Sequence, residues 1–131
     1  SNLLVGGSRP SEVVHAVPDQ PNLLALPAGH IPPNPVELVG SQRFREYLRA
    51  LSRETDWVVI DSPPVLVVTD ASVMAQFVSG VVLVVAADQT SRHAAREAVE
   101  QLDAVNAKII GTILNRVDLH RHPYFSQGVL A

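Results

Sequence analysis

Three apolar segments in the second half of the chain constrain the fold more than any other feature. They are Trp57–Asp61, Val81–Ala86 and Lys108–Leu114, and Val, Ile and Leu dominate each of them. The stretches between them carry apolar residues at helical spacing, which predicts strands that alternate with helices. Strands that are apolar on both faces and joined through helices are typical of a parallel sheet covered on both sides. The sequence therefore predicts an α/β layered domain.

Local signals predict where the helices between these strands begin. Asp70 is expected to cap a helix that continues to Val78, and Thr90 or Ser91 is expected to cap the next one. One face of that second helix carries Ala95, Ala98, Val99, Leu102 and Val105. An apolar face of this kind indicates a helix that packs against the sheet.

The first third of the chain is rich in proline and predicts little regular structure. A short strand is expected at residues 22–26, and a short helix at residues 11–16 with Ser11 as its cap. A longer helix is predicted to begin at Asn34, because Glu37 lies three residues later and completes a capping box. That helix is expected to run on without a break through an apolar stripe that ends at Leu51.

Composition excludes several classes of protein. A chain of 131 residues fits one domain, and the absence of Cys excludes disulfides, thiolate metal sites and a cysteine nucleophile. The net charge of −3 indicates no general attraction to nucleic acid. The longest apolar run, residues 81–87, is far shorter than the roughly 20 residues of a bilayer-spanning helix, so we expect no membrane insertion by this segment.

Asp61 is the first candidate functional residue. Four apolar residues precede it and Ser-Pro-Pro follows, so it is predicted to lie at the carboxyl end of a strand, where open parallel sheets bind ligands. This is the form of a Walker B element, whose carboxylate holds Mg²⁺ beside nucleotide phosphates. An ordinary turn Asp before proline explains the same residues equally well. A receiver-type phosphoacceptor is rejected, because Lys108 lies at the wrong end of its strand.

A phosphate-binding loop does not occur in the chain. The motif Gly-x-x-x-x-Gly-Lys-[Ser/Thr] is absent, and the only lysine, Lys108, is followed by Ile109. The backbone N–H groups and the lysine of such a loop cradle the phosphates of a nucleotide. We therefore expect these residues alone to bind ATP poorly.

Six segments together resemble the bacterial tyrosine kinases (BY-kinases), the cytoplasmic kinases of capsule and exopolysaccharide export. The longest, Leu-Pro-Ala-Gly-His-Ile-Pro-Pro-Asn-Pro-Val-Glu-Leu at residues 26–38, distinguishes the family from the ATPases that position septa or partition chromosomes. The other segments are residues 41–48, 57–66, 69–71, 80–85 and 111–116. The resemblance therefore covers nearly the whole chain.

This resemblance implies a P-loop NTPase fold of the deviant-Walker, septum-positioning type. Residues 1–131 are then expected to form a single domain, the C-terminal part of a kinase domain, with residues 120–131 as a flexible tail. The family's P-loop and second acidic motif lie upstream of the segment that matches residues 1–4. The sheet is accordingly expected to be incomplete, with its missing strands supplied by upstream sequence or by another molecule.

The same resemblance implies ATP and Mg²⁺ as cofactors and suggests a role for several residues. Asp61 matches the residue that holds Mg²⁺ directly or through water, and Thr69 and Asp70 match a motif near the nucleotide. Asn115 matches the position that contacts the adenine edge. A helix cap at Asp70 and an ordinary turn at Asn115 stay open as alternatives. Tyr124 is the candidate phosphoacceptor, although it stands alone where the family has a cluster of tyrosines.

The implied function is that of an autophosphorylating, ATP-dependent protein-tyrosine kinase that regulates exopolysaccharide or capsule synthesis and export. It would act in the cytoplasm at the inner face of the plasma membrane, and this segment alone is expected to be inactive. The expected partners are further copies of the kinase and a membrane-embedded activator or fused membrane domain, with no nucleic acid. A second stripe of the predicted helix, formed by Arg45, Arg49 and Arg53, is either a solvated face or a subunit contact.

Two other functions remain open at the level of sequence. One is a P-loop ATPase of the septum-positioning or partitioning type, which would need neither acceptor tyrosines nor an activator. The other is a non-catalytic module that binds partners, which would apply if Ser1 were the true start of the protein.

Overall fold

The structure is a computed structural model that describes residues 10–30 and 34–121. The chain divides into two compact units, Ser1–Asp61 and Ser62–Ala131. Most of the tail predicted at residues 120–131 lies outside the described residues, and so does Tyr124. Within the described ranges, no helix combines the length and the apolar character that crossing a membrane requires.

The first unit begins with a short helix and an antiparallel hairpin. Helix α1 is Pro10–Val13, and strands β1, His15–Val17, and β2, Gln20–Ala25, pair through a tight turn that ends at Asp19 with φ 61°. The predicted strand at residues 22–26 is confirmed with small shifts of its ends. The predicted bounds of the helix are wrong, because it begins before Ser11 and residues from His15 onward pair with β2 instead.

Two helices follow where the sequence predicts one. They are α2, Pro35–Val39, and α3, Gln42–Glu54. The division falls at Gly40 and Ser41, where Ser41 Oγ accepts a hydrogen bond from the backbone N–H of Phe44 at 3.2 Å. Glycine is a poor helix former and serine is a good N-cap, so a new helix begins at this point.

The predicted capping box at the start of α2 does not form. Asn34 has a φ of −126° and a ψ of 73°, and its side chain accepts no cap hydrogen bond. Its amide nitrogen donates instead to Glu37 Oε2 at 3.2 Å. The helix still begins at Pro35 as predicted, since proline at the first helical position has the required φ and loses no helical hydrogen bond.

Residues 57–61 contradict the prediction of a strand. The segment forms neither helix nor strand, and the side chains of Trp57 and Val59 are 85% and 89% exposed. Strand hydrogen bonds need a neighbouring strand, and no described residue supplies one here. The apolar composition indicates a β preference, but that preference is not sufficient to form a strand where no neighbouring strand is described.

The second unit contains the parallel sheet that the sequence predicts. Its elements are α4, Asp70–Ala75; β3, Val81–Ala86; α5, Arg92–Ala104; and β4, Ile109–Asn115. Strands β3 and β4 pair in parallel, which the intervening helix α5 allows. The predicted alternation of strand and helix is thus confirmed for two of its three strands, and the first of the three, at residues 57–61, does not form.

The prediction for the start of α5 is confirmed, whereas the cap predicted for α4 is wrong. Ser91 caps α5 as expected, and its Oγ accepts from the N–H of Ala94 at 3.0 Å. Asp70 is not a cap, because it is the first residue of α4 and Thr69 occupies the cap position without a side-chain bond. Helix α4 also ends at Ala75 rather than at Val78, since the chain turns away toward β3.

The core lies between one face of the sheet and the two helices. Leu102 is 2% exposed, Ala75 6% and Ala107 9%, and β3 packs against them through Val81 and Leu83. This arrangement holds the carboxyl ends of both strands, and the loops that follow them, at one edge of a rigid layer.

Candidate nucleotide site

The carboxyl ends of β3 and β4 form one edge of the sheet. The N–H of Ala87, just after β3, donates to the carbonyl of Asn115 at the end of β4 at 2.8 Å. A cleft of about 300 Å³ lies beside this edge and the first turn of α5. Its lining residues are Val85, Ala86, Ala87, Asp88, Thr90, Ser91, Arg92, Ala95, Leu114 and Val117. Parallel sheets bind ligands at such an edge.

Asn115 lies at this edge, and the oxygen of its side-chain amide makes a hydrogen bond while the nitrogen makes none to a described residue. Its Oδ1 accepts from the backbone N–H of Arg116 at 2.8 Å, and Arg116 has a φ of 58°. The side-chain NH₂ group donates to no described residue, and the side chain is exposed. Asn115 therefore offers a hydrogen-bond donor, and a second lone pair on Oδ1, to a planar heterocycle.

A side-chain hydrogen bond joins the loops that follow the two strands. Arg116 Nη1 donates to Gln89 Oε1 at 3.1 Å, and Thr90 Oγ1 accepts from the N–H of Ala86 at 3.3 Å. Asp88 has a φ of 57°, in the left-handed region that Asp tolerates better than most residues. Sequence patterns did not reveal the bond between Gln89 and Arg116, because these residues are far apart in the chain and match no local motif.

Thr69 and Asp70 lie together at the start of α4. Asp70 Oδ1 is shielded from solvent and accepts no hydrogen bond from a described residue. Thr69 is exposed, and its hydroxyl makes no cap bond. A buried acceptor without a donor is costly and is usually satisfied by water, an ion or a ligand. No described hydrogen bond or ion pair links Asp70 to Asn115.

Gln101 on α5 was not identified from the sequence. Its Nε2 donates to the carbonyl of Val65 at 3.0 Å and to Ser72 Oγ at 3.1 Å. One side chain thus joins α5, the turn that precedes Thr69, and α4. A polar residue near the apolar face of a helix was the one available signal, and it does not indicate which partners the residue binds.

Asp61 belongs to the first unit and is its last residue. Its carboxylate is exposed and accepts no hydrogen bond from a described residue. Among residues 10–30 and 34–121, no three His, Cys, Asp or Glu side chains are grouped so that they could hold a metal ion. A single carboxylate suits Mg²⁺, which keeps several waters and binds one or two carboxylates together with substrate phosphates.

Comparison with known proteins identifies the family. No protein-family model matches the chain. It is 36% identical over 98 residues to the tyrosine-protein kinase CpsD of Streptococcus agalactiae, a match that spans 75% of this chain and 43% of the relative. It is 34% identical over 122 residues to the putative tyrosine-protein kinase CapB of Staphylococcus aureus, across 93% of this chain and 53% of the relative. The chain belongs to the bacterial tyrosine kinases.

Solved BY-kinase structures show the same fold. The VpsO kinase domain is 38% identical with a TM-score of 0.83, over 89% of this chain and 57% of that one. The chimerical protein CapA2B2 is 34% identical with a TM-score of 0.83, over 88% and 51% of the two chains. The predicted α/β P-loop NTPase fold is confirmed. The chain spans about half the length of the relatives it matches, as a C-terminal segment of them.

Proposed function

We propose that this chain is part of an ATP-dependent protein-tyrosine kinase that autophosphorylates and regulates capsule or exopolysaccharide synthesis and export. The observation that carries the proposal is the match to a tyrosine-protein kinase over 93% of the chain. The polar groups that the structure leaves without partners at Asn115 and Asp70 support it, because they lie at strand and helix ends where nucleotides bind.

Asp61 is the proposed Mg²⁺ ligand, acting directly or through a water molecule. When bound, the ion neutralises charge on the transferring phosphoryl group. Asp61 directly follows an apolar segment, as the carboxylate of a Walker B element does. Its exposure and its lack of partners among the described residues leave both oxygens available for this role.

Asn115, Thr69 and Asp70 are the proposed nucleotide-binding residues. The NH₂ group of Asn115 would donate to a ring nitrogen of adenine, and its Oδ1 would accept from the exocyclic amine while retaining the Arg116 bond. Asp70 Oδ1 would accept a hydrogen bond from a donor outside the described residues, and its present lack of a partner supports this role.

The remaining parts of the proposal concern partners and location. We expect further copies of the kinase and a membrane-embedded activator, or a fused membrane domain, as partners at the cytoplasmic face of the plasma membrane. The family resemblance and the CapA2B2 chimera support this expectation. Tyr124 is the proposed phosphoacceptor; its one competitor within this sequence is Tyr47.

The test is to express the entire reading frame that encodes these residues and to incubate the protein with labelled ATP and Mg²⁺. Phosphotyrosine is expected, and Asp61→Asn is expected to slow its formation by about 100-fold or more, because a charge that stabilises the transition state is lost. Asp56→Asn is the matched control, since Asp56 is also exposed and is close in sequence. Phosphate release without phosphotyrosine would instead support an ATPase of the partitioning type.

The acceptor is identified in the same assay by substitution of each tyrosine. Tyr124→Phe is expected to abolish the phosphopeptide that contains residue 124, whereas Tyr47→Phe is expected to leave it unchanged. Peptide mass spectrometry reads both outcomes. Phosphate at residue 47 of the parent protein, with none at residue 124, would contradict the assignment.

A further inference from the structure

Gln101 makes the contact that brings together the polypeptide on both sides of Thr69 and Asp70. Its side-chain NH₂ group donates one hydrogen bond to the carbonyl of Val65, at 3.0 Å, and another to Ser72 Oγ, at 3.1 Å. Val65 precedes the Thr69–Asp70 pair and Ser72 follows it. An amide NH₂ has two hydrogens, so one group can satisfy both acceptors at once.

The environment of these bonds makes them difficult to replace. Ser72 is 6% exposed, and the side chain of Val65 packs against the core that contains Ala75 and Leu102. The carbonyl of Val65 accepts from no other described group. Loss of the Gln101 donor would therefore leave a partly buried carbonyl without a partner, which is more costly than loss of an exposed hydrogen bond.

The turn held by Gln101 leads directly into the candidate site. Pro64 O accepts from the N–H groups of Val67 and Val68 at 3.0 and 3.4 Å, and α4 begins at Asp70, two residues after Val68. The main chain of this turn is anchored to α5 through Gln101. The position of Asp70 and of its unpartnered oxygen is thus set by contacts on both sides.

We propose that Gln101 is a positioning residue, which fixes Thr69 and Asp70 for nucleotide binding by anchoring the turn before them and the helix that they begin. The inference rests on the proposed function for its kinetic consequence but not for its structural one. Glutamate has the same shape but no hydrogen to donate, and its charge would face the carbonyl oxygen of Val65. A donor is therefore required at this position, not merely a polar side chain.

The experiment compares Gln101→Met and Gln101→Glu with Glu97→Met, in the protein expressed from its entire reading frame. Methionine matches the length of glutamine and removes the donor, and Glu97 is an exposed residue one turn earlier on the same helix. Amide hydrogen exchange of Val67 and Val68 is measured first. Both Gln101 variants are expected to exchange these amides about tenfold faster, and the Glu97 variant is expected to match the parent protein.

Kinetics then separate positioning from a general loss of stability. The Gln101 variants are expected to raise the KM for ATP about fivefold, with kcat close to the parent value, because they loosen a binding element without unfolding the protein. The unsatisfied carbonyl of Val65 is expected to lower Tm by only a few degrees. Ser72→Ala, which keeps the bond to Val65, is expected to show a smaller rise and serves if the Gln101 variants do not fold. A fall in Tm with KM unchanged would overturn the proposal.

The two parts of the experiment fail in different ways. Unchanged exchange at Val67 and Val68 in the Gln101 variants would overturn the positioning role, whatever the enzyme activity. If the Gln101 variants exchange these amides faster but the parent protein forms no phosphotyrosine, the contact is upheld and the proposed kinase function is overturned instead.

Discussion

The two units of the chain differ in how far they bury the side chains of similar apolar segments. All buried side chains among the described residues belong to the second unit, where helices α4 and α5 pack on the sheet. In the first unit, helix α3 has an amphipathic pattern but no buried residue, and both strands of the hairpin are largely exposed. A layer of helix on sheet buries apolar groups efficiently, whereas a lone helix or hairpin does not.

The contrast is sharpest between two valine-rich segments. Val81–Ala86 pairs with β4 and contributes two side chains to the core, whereas residues 57–61 pair with no described strand and expose Trp57 and Val59. Their compositions are alike. A parallel strand therefore forms only where a crossover connection brings a neighbouring strand beside it, and its own sequence supplies no more than a β preference.

The largest expected effect is at the centre of the second unit. Leu102→Ala should lower the free energy of unfolding by about 3 kcal/mol, because Leu102 is 2% exposed and its removal leaves a cavity. Leu119→Ala is the matched control, since that side chain is 52% exposed. Chemical denaturation measures both. Equal effects would show that burial of Leu102 adds no stability beyond that of an exposed leucine in the same unit.

A pair of glycines next to or within the sheet should respond in opposite directions. A Cβ at Gly80 would lie 2.7 Å from Ile110 Cγ2, so Gly80→Ala should destabilise by about 1–3 kcal/mol. A Cβ at Gly111 would meet no atom within 4 Å, so Gly111→Ala should stabilise by up to about 1 kcal/mol. Thermal unfolding of both variants checks the prediction. A destabilising Gly111→Ala would mean that another group covers this face of the sheet in solution.

The helix caps test whether the two units unfold separately. Ser41→Ala and Ser91→Ala should each cost about 1 kcal/mol, because each removes one cap hydrogen bond. Hydrogen exchange should show the loss in α3 for the first variant and in α5 for the second. Faster exchange in both helices from a single substitution would contradict independent units.

The smallest effect is expected at residues 57–61. Val59→Thr should change the free energy of unfolding by less than about 0.5 kcal/mol, because Val59 is 89% exposed. Val81→Thr, which places a hydroxyl against the core, should cost more than about 1 kcal/mol. Chemical denaturation of the two variants measures both changes in the free energy of unfolding. A large effect of Val59→Thr would show that a partner covers the segment in solution.

Local rules predicted those parts of the fold that depend on neighbours in sequence. The strand at Val81–Ala86 and the cap at Ser91 follow from residues a few positions apart, and both were correct. The break between α2 and α3 was not predicted, although the residues that cause it, Gly40 and the N-cap Ser41, are adjacent in the sequence. The candidate residue Asn115 was placed correctly at a strand end, because the end of an apolar run is visible in sequence.

The amino-acid sequence was sufficient to predict two of the three strands and the helix between them, the family resemblance, and which residues are candidates for nucleotide binding. Two findings required the three-dimensional structure: residues 57–61 form no strand, and Asp70 Oδ1 has no partner among the described residues. The structure also revealed the bond from Gln101 to Val65, between residues 36 positions apart. Hydrogen bonding and burial at these sites depend on segments distant in the chain, and no local pattern encodes which distant group arrives.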